Sequence, residues 1–301
     1  MYASGYWFHA SKALPMTSIS RSKWPLGVFT SLDAGLGLGF EVLAELNMPT
    51  IQLHAPRAER RSAALAAGLL EKLEQIDVEV TCVFAGFSGE SYADIPTVER
   101  TVGLVPHATR SARVDELKEI SDFAALMGVD SVGLHLGFVP HKPASAEYKE
   151  MIDVTRDVCD YCAVKRQAIH LETGQEPADV LETFLESVNR PNLYVNFDPA
   201  NMILYGCGGP LEALKRVGRF VRSVHCKDAI WSDRPGETWG TEVPLGEGSL
   251  DVSEFLYVLN GIGYTGPLTI EREIPQEPER QLAEIGRAAN LLNRLMKQMQ
   301  L

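Results

Sequence analysis

Cationic residues are in the minority in this chain, with Lys+Arg 28 against Asp+Glu 40 and a formal net charge of −12. A surface that acidic repels phosphate backbones, and no local basic patch offsets it, so no nucleic-acid partner is expected. Cysteine is sparse and odd in number: Cys82, Cys159, Cys162, Cys207 and Cys226. That scatter suits reduced thiols in a cytoplasmic protein better than a disulfide framework. Cys159 and Cys162 form a CxxC, but inside a helical stretch and without a second pair, so ordinary helix cysteines are expected. No apolar run approaches the roughly 18 residues that a membrane span requires, and no membrane partner is expected. The opening twenty residues lack a basic segment followed by an apolar one, so they do not read as a signal peptide. They are read as a flexible N-terminal arm over 1–20, with Met1 and Met16 both available as the natural start.

A 45% hydrophobic share is ordinary for a globular chain and enough to bury a sizeable core. Short β-rich runs alternate with longer helical ones, the pattern of parallel βαβ units. The expected strands are Pro25–Thr30, Thr50–His54, Val78–Ala85, Ser131–Phe138, Gln167–Glu172, Leu193–Asp198, Val221–Lys227 and Leu268–Glu271. Amphipathic stretches fall between them: Phe40–Asn47, Ala58–Gln75, Arg110–Met127, Ala146–Cys162, Ala178–Asn189, Pro210–Val217 and Val252–Gly261, with Pro278–Gln300 closing the chain. Eight strands, each followed by a helix, predict an α/β fold, a single-domain (β/α)₈ TIM barrel over 21–301. A doubly wound dinucleotide-binding sheet would want GxGxxG after its first strand; Gly35, Gly37 and Gly39 are spaced GxGxG, and no ribose-binding acid follows. Two connections, Gly86–Thr109 and Ala229–Ser249, are unusually long. Both would emerge at the catalytic end of the barrel, where long loops are usually functional.

Four expected strands end in a residue able to bind a metal: Glu172, Asp198, His225 and Glu271. Strand side chains alternate faces. Counting from the apolar sets, such as Leu193, Val195 and Phe197, turns all four inward from consecutive strands. Three converging carboxylates cannot all stay ionised without a cation. Three carboxylate oxygens and one imidazole suit one divalent Mn, Mg or Co better than a structural zinc site, with Zn a further candidate. Inward parity also brings His135, His54 and Lys227 to the same mouth as candidate substrate-binding groups, and Trp239 lies in the long loop that would cover it. His170, one layer below Glu172, is expected to support a ligand from behind. Glu176 reads as a residue at a helix N-terminus rather than a catalyst.

Glu172, Asp198, His225 and Glu271, with Gly246-Glu247-Gly248 between the last two, resemble the xylose isomerase-like TIM-barrel superfamily. That group includes sugar-phosphate isomerases and epimerases, ketose 3-epimerases, inosose dehydratase and zinc-dependent apurinic endonucleases. The resemblance implies one divalent metal on these four side chains, with Glu172 and Glu271 doubling as proton carriers. It also implies a small carbohydrate substrate and a homodimer or homotetramer. Three positions depart from particular members. Asn201, expected to touch substrate, stands where ketose 3-epimerases have a histidine, Trp231 where they have a substrate-binding arginine, and Thr173-Gly174 follow Glu172 where xylose isomerases have Glu-x-Lys-Pro. The expected function is a metal-dependent sugar isomerase or epimerase working through an enediolate. The alternatives are an inosose dehydratase-like lyase and an inactive sugar-binding barrel; the charge argues against an endonuclease.

Overall fold

The structure is a computed structural model and describes residues 23–301, so the arm expected over 1–20 lies outside the described residues. Eight parallel strands form the inner layer: β1 (Leu26–Ser31), β2 (Thr50–His54), β3 (Glu79–Ala85), β4 (Ser131–Leu134), β5 (Ala168–Glu172), β6 (Leu193–Phe197), β7 (Val221–Cys226) and β8 (Leu268–Ile270). Each pairs with the next in sequence, and β8 returns to β1 through Leu26↔Leu268, Gly27↔Thr269 and Val28↔Ile270, closing a (β/α)₈ barrel. Closure leaves no free sheet edge.

Helices pack outside, and the longer ones carry the apolar stripe that burial on the barrel demands. They are α1 (Leu43–Leu46), α2 (Ala63–Gln75), α3 (Ile95–Thr101), α4 (His107–Leu126), α5 (Ala146–Ala163), α6 (Ala178–Val188), α7 (Pro199–Tyr205), α8 (Pro210–Val217), α9 (Val252–Gly261) and α10 (Pro278–Gln298). In α6 the stripe is Leu181, Phe184, Leu185 and Val188, all buried. Side-chain caps fix several starts by accepting an otherwise orphaned backbone N–H: Ser62 from Leu65, Asp94 from Thr97, Ser145 from Tyr148 and Asp251 from Glu254. No described helix is long and apolar enough to cross a membrane.

The elements differ from the sequence expectation at the catalytic end. The fourth strand stops at Leu134 rather than running to Phe138. The Leu136 carbonyl instead accepts from Leu104 and Val105 at 2.8 and 3.3 Å, tying the β4 end to the loop after β3. That loop is not structureless: it carries α3, and α4 begins at His107. The sixth and seventh strands end one residue early because Asp198 leaves the ladder to cap α7, an added helix, and Lys227 precedes a short hairpin, Asp228–Ile230 with Thr241–Val243. The stretch expected over Ala58–Gln75 breaks at Ser62, whose hydroxyl starts α2 afresh after a short turn.

Gly103 holds the β3 loop in place. It sits at φ 75°, its N–H donates to Glu90 at 2.7 Å, and a Cβ there would collide with the Leu136 carbonyl. Gly103→Ala is expected to cost about 1–3 kcal/mol of stability, read as a lower urea midpoint with an unchanged m-value.

Candidate metal centre

The strand ends bring Glu172 (β5), Asp198 (after β6), His225 (β7) and Glu271 (after β8) to one point, all buried. One ligand atom from each lies within 4.8 Å of the others. His225 Nδ1 faces the cluster, 2.7 Å from Glu172 Oε1, 3.0 Å from Glu271 Oε2 and 3.7 Å from Asp198 Oδ2. Asp198 divides its oxygens between two tasks. Oδ1 caps α7, accepting from Ala200 and Asn201 at 2.8 and 3.0 Å, while Oδ2 is buried with no hydrogen-bond partner. An ionised oxygen left in that state is costly unless a cation completes it.

The fields around the cluster point the same way. Burial pushes Glu172 up, yet the imidazoles of His135 and His225 outweigh it and hold the carboxyl at about 2. Burial likewise opposes ionisation of Glu271, but Lys227 and then His225 hold it well below the carboxylate range. His225 is lifted well above the ordinary imidazole value, burial being overcome by Glu271 and Glu172. Asp198, whose burial exceeds the pull of Lys227, rises to about 6. Three acidic side chains around one imidazole nitrogen demand positive charge at that point. The hard donor set and the orphaned Asp198 Oδ2 fit a divalent cation such as Mg or Mn.

Three of the expected substrate-binding residues reach these ligands. His135 Nε2 lies 2.9 Å from Glu172 Oε2, Asn201 Nδ2 donates to Glu172 Oε1 at 3.2 Å, and Lys227 Nζ lies 3.0 Å from Glu271 Oε2. Three other expected residues do not. His54 hydrogen-bonds the adjacent Ala55 carbonyl at 3.0 Å, with its ring edge on Phe29. Trp239 stands behind Tyr205, ring centroids 4.5 Å apart, one layer outside the Gln175–His135 contact. His170 bonds Ser223 at 2.8 Å, and the residue found behind His225 is Gln52.

The sequence reading passed over Gln52, although it shares the inward parity of His54. Its Oε1 meets His225 Nε2 at 2.8 Å and its Nε2 donates to Asn196 Oδ1 at 3.2 Å. The His225 ring is also held between Phe29 and Phe84, centroids 5.6 and 5.5 Å away, and Gly133 leaves the room that the Phe84 ring needs. With Nε2–H donated to Gln52, Nδ1 is the nitrogen that a bound cation would use, displacing the proton that the carboxylates otherwise hold there. Tyr92, in the long β3 loop, was also unforeseen; its ring lies 6.0 Å from His135 and is 47% exposed at the mouth.

With this geometry in place, comparison with known proteins is decisive on family. The family pattern described as a xylose isomerase-like TIM barrel matches residues 40–294. The chain belongs to that family. A xylose isomerase domain protein from Planctomyces limnophilus is similar at 54% identity, with 91% of this chain and 98% of that one covered and a TM-score of 0.89. A D-allulose 3-epimerase from Methylomonas sp., solved in complex with D-allulose, shares the fold at 17% identity, TM-score 0.64, covering 90% of this chain and 97% of that one. So does a xylose isomerase-like TIM barrel protein from Mycobacterium smegmatis in complex with magnesium, at 14% identity, TM-score 0.65, covering 91% and 98%. No curated protein matches the chain.

Two outcomes follow for this family member. Gln52→Met removes the acceptor for His225 and should weaken Mn²⁺ binding by about 10–100-fold in calorimetry, while Gln52→Glu, which keeps an acceptor, should not. Glu176 is buried against Val139 N at 2.8 Å, and burial raises it from 4.5 to about 7. Because the folded pKa lies above the unfolded one, this group's stabilisation is present below pH 4.5 and lost as pH rises through 7. Glu176→Gln should therefore match wild type in acid and exceed it by up to about 3 kcal/mol above pH 7 in denaturant titrations.

Proposed function

We propose that this chain is a divalent-metal-dependent isomerase or epimerase of keto-sugars. The observation that carries this reading is the pairing of Glu172 and Glu271 across one point, 2.7 and 3.0 Å from the same His225 nitrogen. Both are held ionised, so both can accept a proton. Glu172, Asp198, His225 and Glu271 would hold the cation, which when bound supplies Lewis-acid stabilisation of negative charge on a substrate carbonyl oxygen.

The chain's own groups do the proton work. One glutamate oxygen takes the proton from the carbon beside the ketone; the C–H bond breaks and its electron pair moves onto the carbonyl oxygen, giving an enediolate. The other glutamate, which takes up a proton from solvent as substrate binds, returns it to the opposite face of that carbon for epimerisation, and the first glutamate gives its proton back to solvent. Returning it to the former carbonyl carbon, while the proton of the adjacent hydroxyl passes to the former carbonyl oxygen, gives isomerisation. His135 on Glu172 and Lys227 on Glu271 hold the two carboxylates apart and ionised between turnovers. Gln175 keeps His135 in place at 3.1 Å. The similarity to sugar epimerase structures supports the substrate class.

Asn201 and Trp231, standing where ketose 3-epimerases have a histidine and an arginine, favour as second reading a dehydratase of the inosose type. It begins with the same proton removal, but the electron pair expels a neighbouring hydroxyl, which takes a proton from a glutamate and leaves as water.

Metal analysis by mass spectrometry on the purified protein is expected to give about one Mg, Mn, Co or Zn per chain, lost in Asp198→Ala. Wild-type protein that takes up no metal on incubation would leave a binding barrel instead. Glu172→Gln and Glu271→Gln should each lower kcat on a converted ketose by about 10²–10⁴-fold or more; turnover kept in both would sink the acid–base assignment. Chromatography of ketose mixtures separates the two readings, because only the dehydratase releases an unsaturated or deoxy product.

A further inference from the structure

The end of the barrel opposite the catalytic mouth, where β1, β2 and β3 begin, carries a groove of about 1380 Å³. Residues of α1, α2 and α10 line it, with Gly286, Ala289, Asn290 and Asn293 from α10. Leu46, Met48, Leu70, Val78 and Met127 give it an apolar lining. Four exposed carboxylates stand in it as well, Glu45, Glu74, Asp77 and Glu79, and no lysine, arginine or histidine is among its lining residues. None of the four makes an ion pair among the described residues, whereas exposed acids elsewhere on the barrel are paired, as Asp157 is with Lys118, Asp122 with Lys165 and Asp160 with Arg190.

The sequence holds a segment that complements this groove. The chain has Asp+Glu 40, yet the first acid along it is Asp33. Residues 1–22 carry Lys12 and Arg21, and half of the first eight residues are aromatic: Tyr2, Tyr6, Trp7 and Phe8. An acid-free segment with cationic side chains is attracted by four unpaired carboxylates, and aromatic side chains bury the most area on an apolar lining. The point of attachment favours this segment over any other. Trp24 and Pro25 line the groove themselves, so residues 1–22 are tethered at its edge. A short tether gives an effective concentration on the order of millimolar, which a second copy or a separate peptide at micromolar concentration does not reach.

We propose that residues 1–22 dock in this groove, Lys12 and Arg21 meeting its carboxylates and the aromatic side chains covering its apolar lining. This end of a (β/α)₈ barrel serves stability rather than chemistry. The docked segment therefore stabilises the barrel from the end away from the metal centre, and the inference stands apart from the proposed activity.

The test compares the full chain with a 23–301 truncation and with Lys12→Glu combined with Arg21→Glu. Thermal unfolding is followed for each. An equal mixture of ¹⁴N and ¹⁵N full chain is also treated with a carbodiimide, which joins an amine to a carboxylate in contact with it, and the links are read by mass spectrometry. The expected result is a midpoint lower by about 2 °C or more in both altered chains, regained in part when Glu74→Lys and Asp77→Lys are added to the charge-reversed chain. Lys12 is expected to link to Glu45, Glu74, Asp77 or Glu79 of its own chain. Lys12 linked only to other carboxylates, or to none, overturns the inference whatever the midpoints show. Links that join light to heavy chains overturn it in favour of a second copy as the occupant. Equal midpoints in all chains overturn it as well, since a segment that binds only the folded barrel must stabilise it. If the truncated chain does not fold, the charge-reversed chain and its rescue supply the midpoints.

Discussion

Three carboxylates that share one small buried volume repel one another strongly, and much of the catalytic end of this barrel is arranged to make that tolerable. Glu172 is answered by His135 and Asn201, Glu271 by Lys227, and His225 stands at the centre with its Nδ1 toward all three acids. Asp198 Oδ2 is the one buried oxygen of the four candidate ligands left without a hydrogen-bond partner. Such a group is stable when a cation completes it, so the local electrostatics and the proposed chemistry rest on the same requirement.

The layers behind the centre keep that geometry fixed. Gln52 and Asn196 replace the branched apolar residues that usually fill a barrel interior, and their amides set the orientation of the His225 ring. Phe29 and Phe84 close the remaining sides of the ring, with Cys82 beneath them. A ring held on both faces and at one nitrogen offers its other nitrogen in a single direction, which is the preorganisation that a metal site needs.

Buried and half-buried acids also organise the loops over the mouth. Glu90 ties Phe87 and Gly103, Glu176 ties Val139, Asp228 gathers Gly246 and Gly248, and Glu273 reaches Gly37. Each carboxylate satisfies main-chain donors that a loop would otherwise leave to solvent. Part of the chain's acidic balance is therefore structural, serving loops that carry the site.

The barrel and its four inward residues were legible in the sequence. Alternation along short strands is a local property, and parity alone turns Glu172, Asp198, His225 and Glu271 to one side. What parity does not carry is distance across the barrel. His54 has the parity of Gln52, yet Gln52 reaches His225 while His54 turns to its neighbour Ala55. His170 shares a strand with Glu172 but meets Ser223 one layer down, and Trp239 is set behind Tyr205 by the path of its loop. Asp198 shows the division most clearly. Its place before Pro199 marks it as a helix cap, and its place at a strand end marks it as a ligand. The tertiary structure alone decides that one oxygen does each, because only closure of the barrel brings Glu172, His225 and Glu271 to the oxygen that the helix does not use.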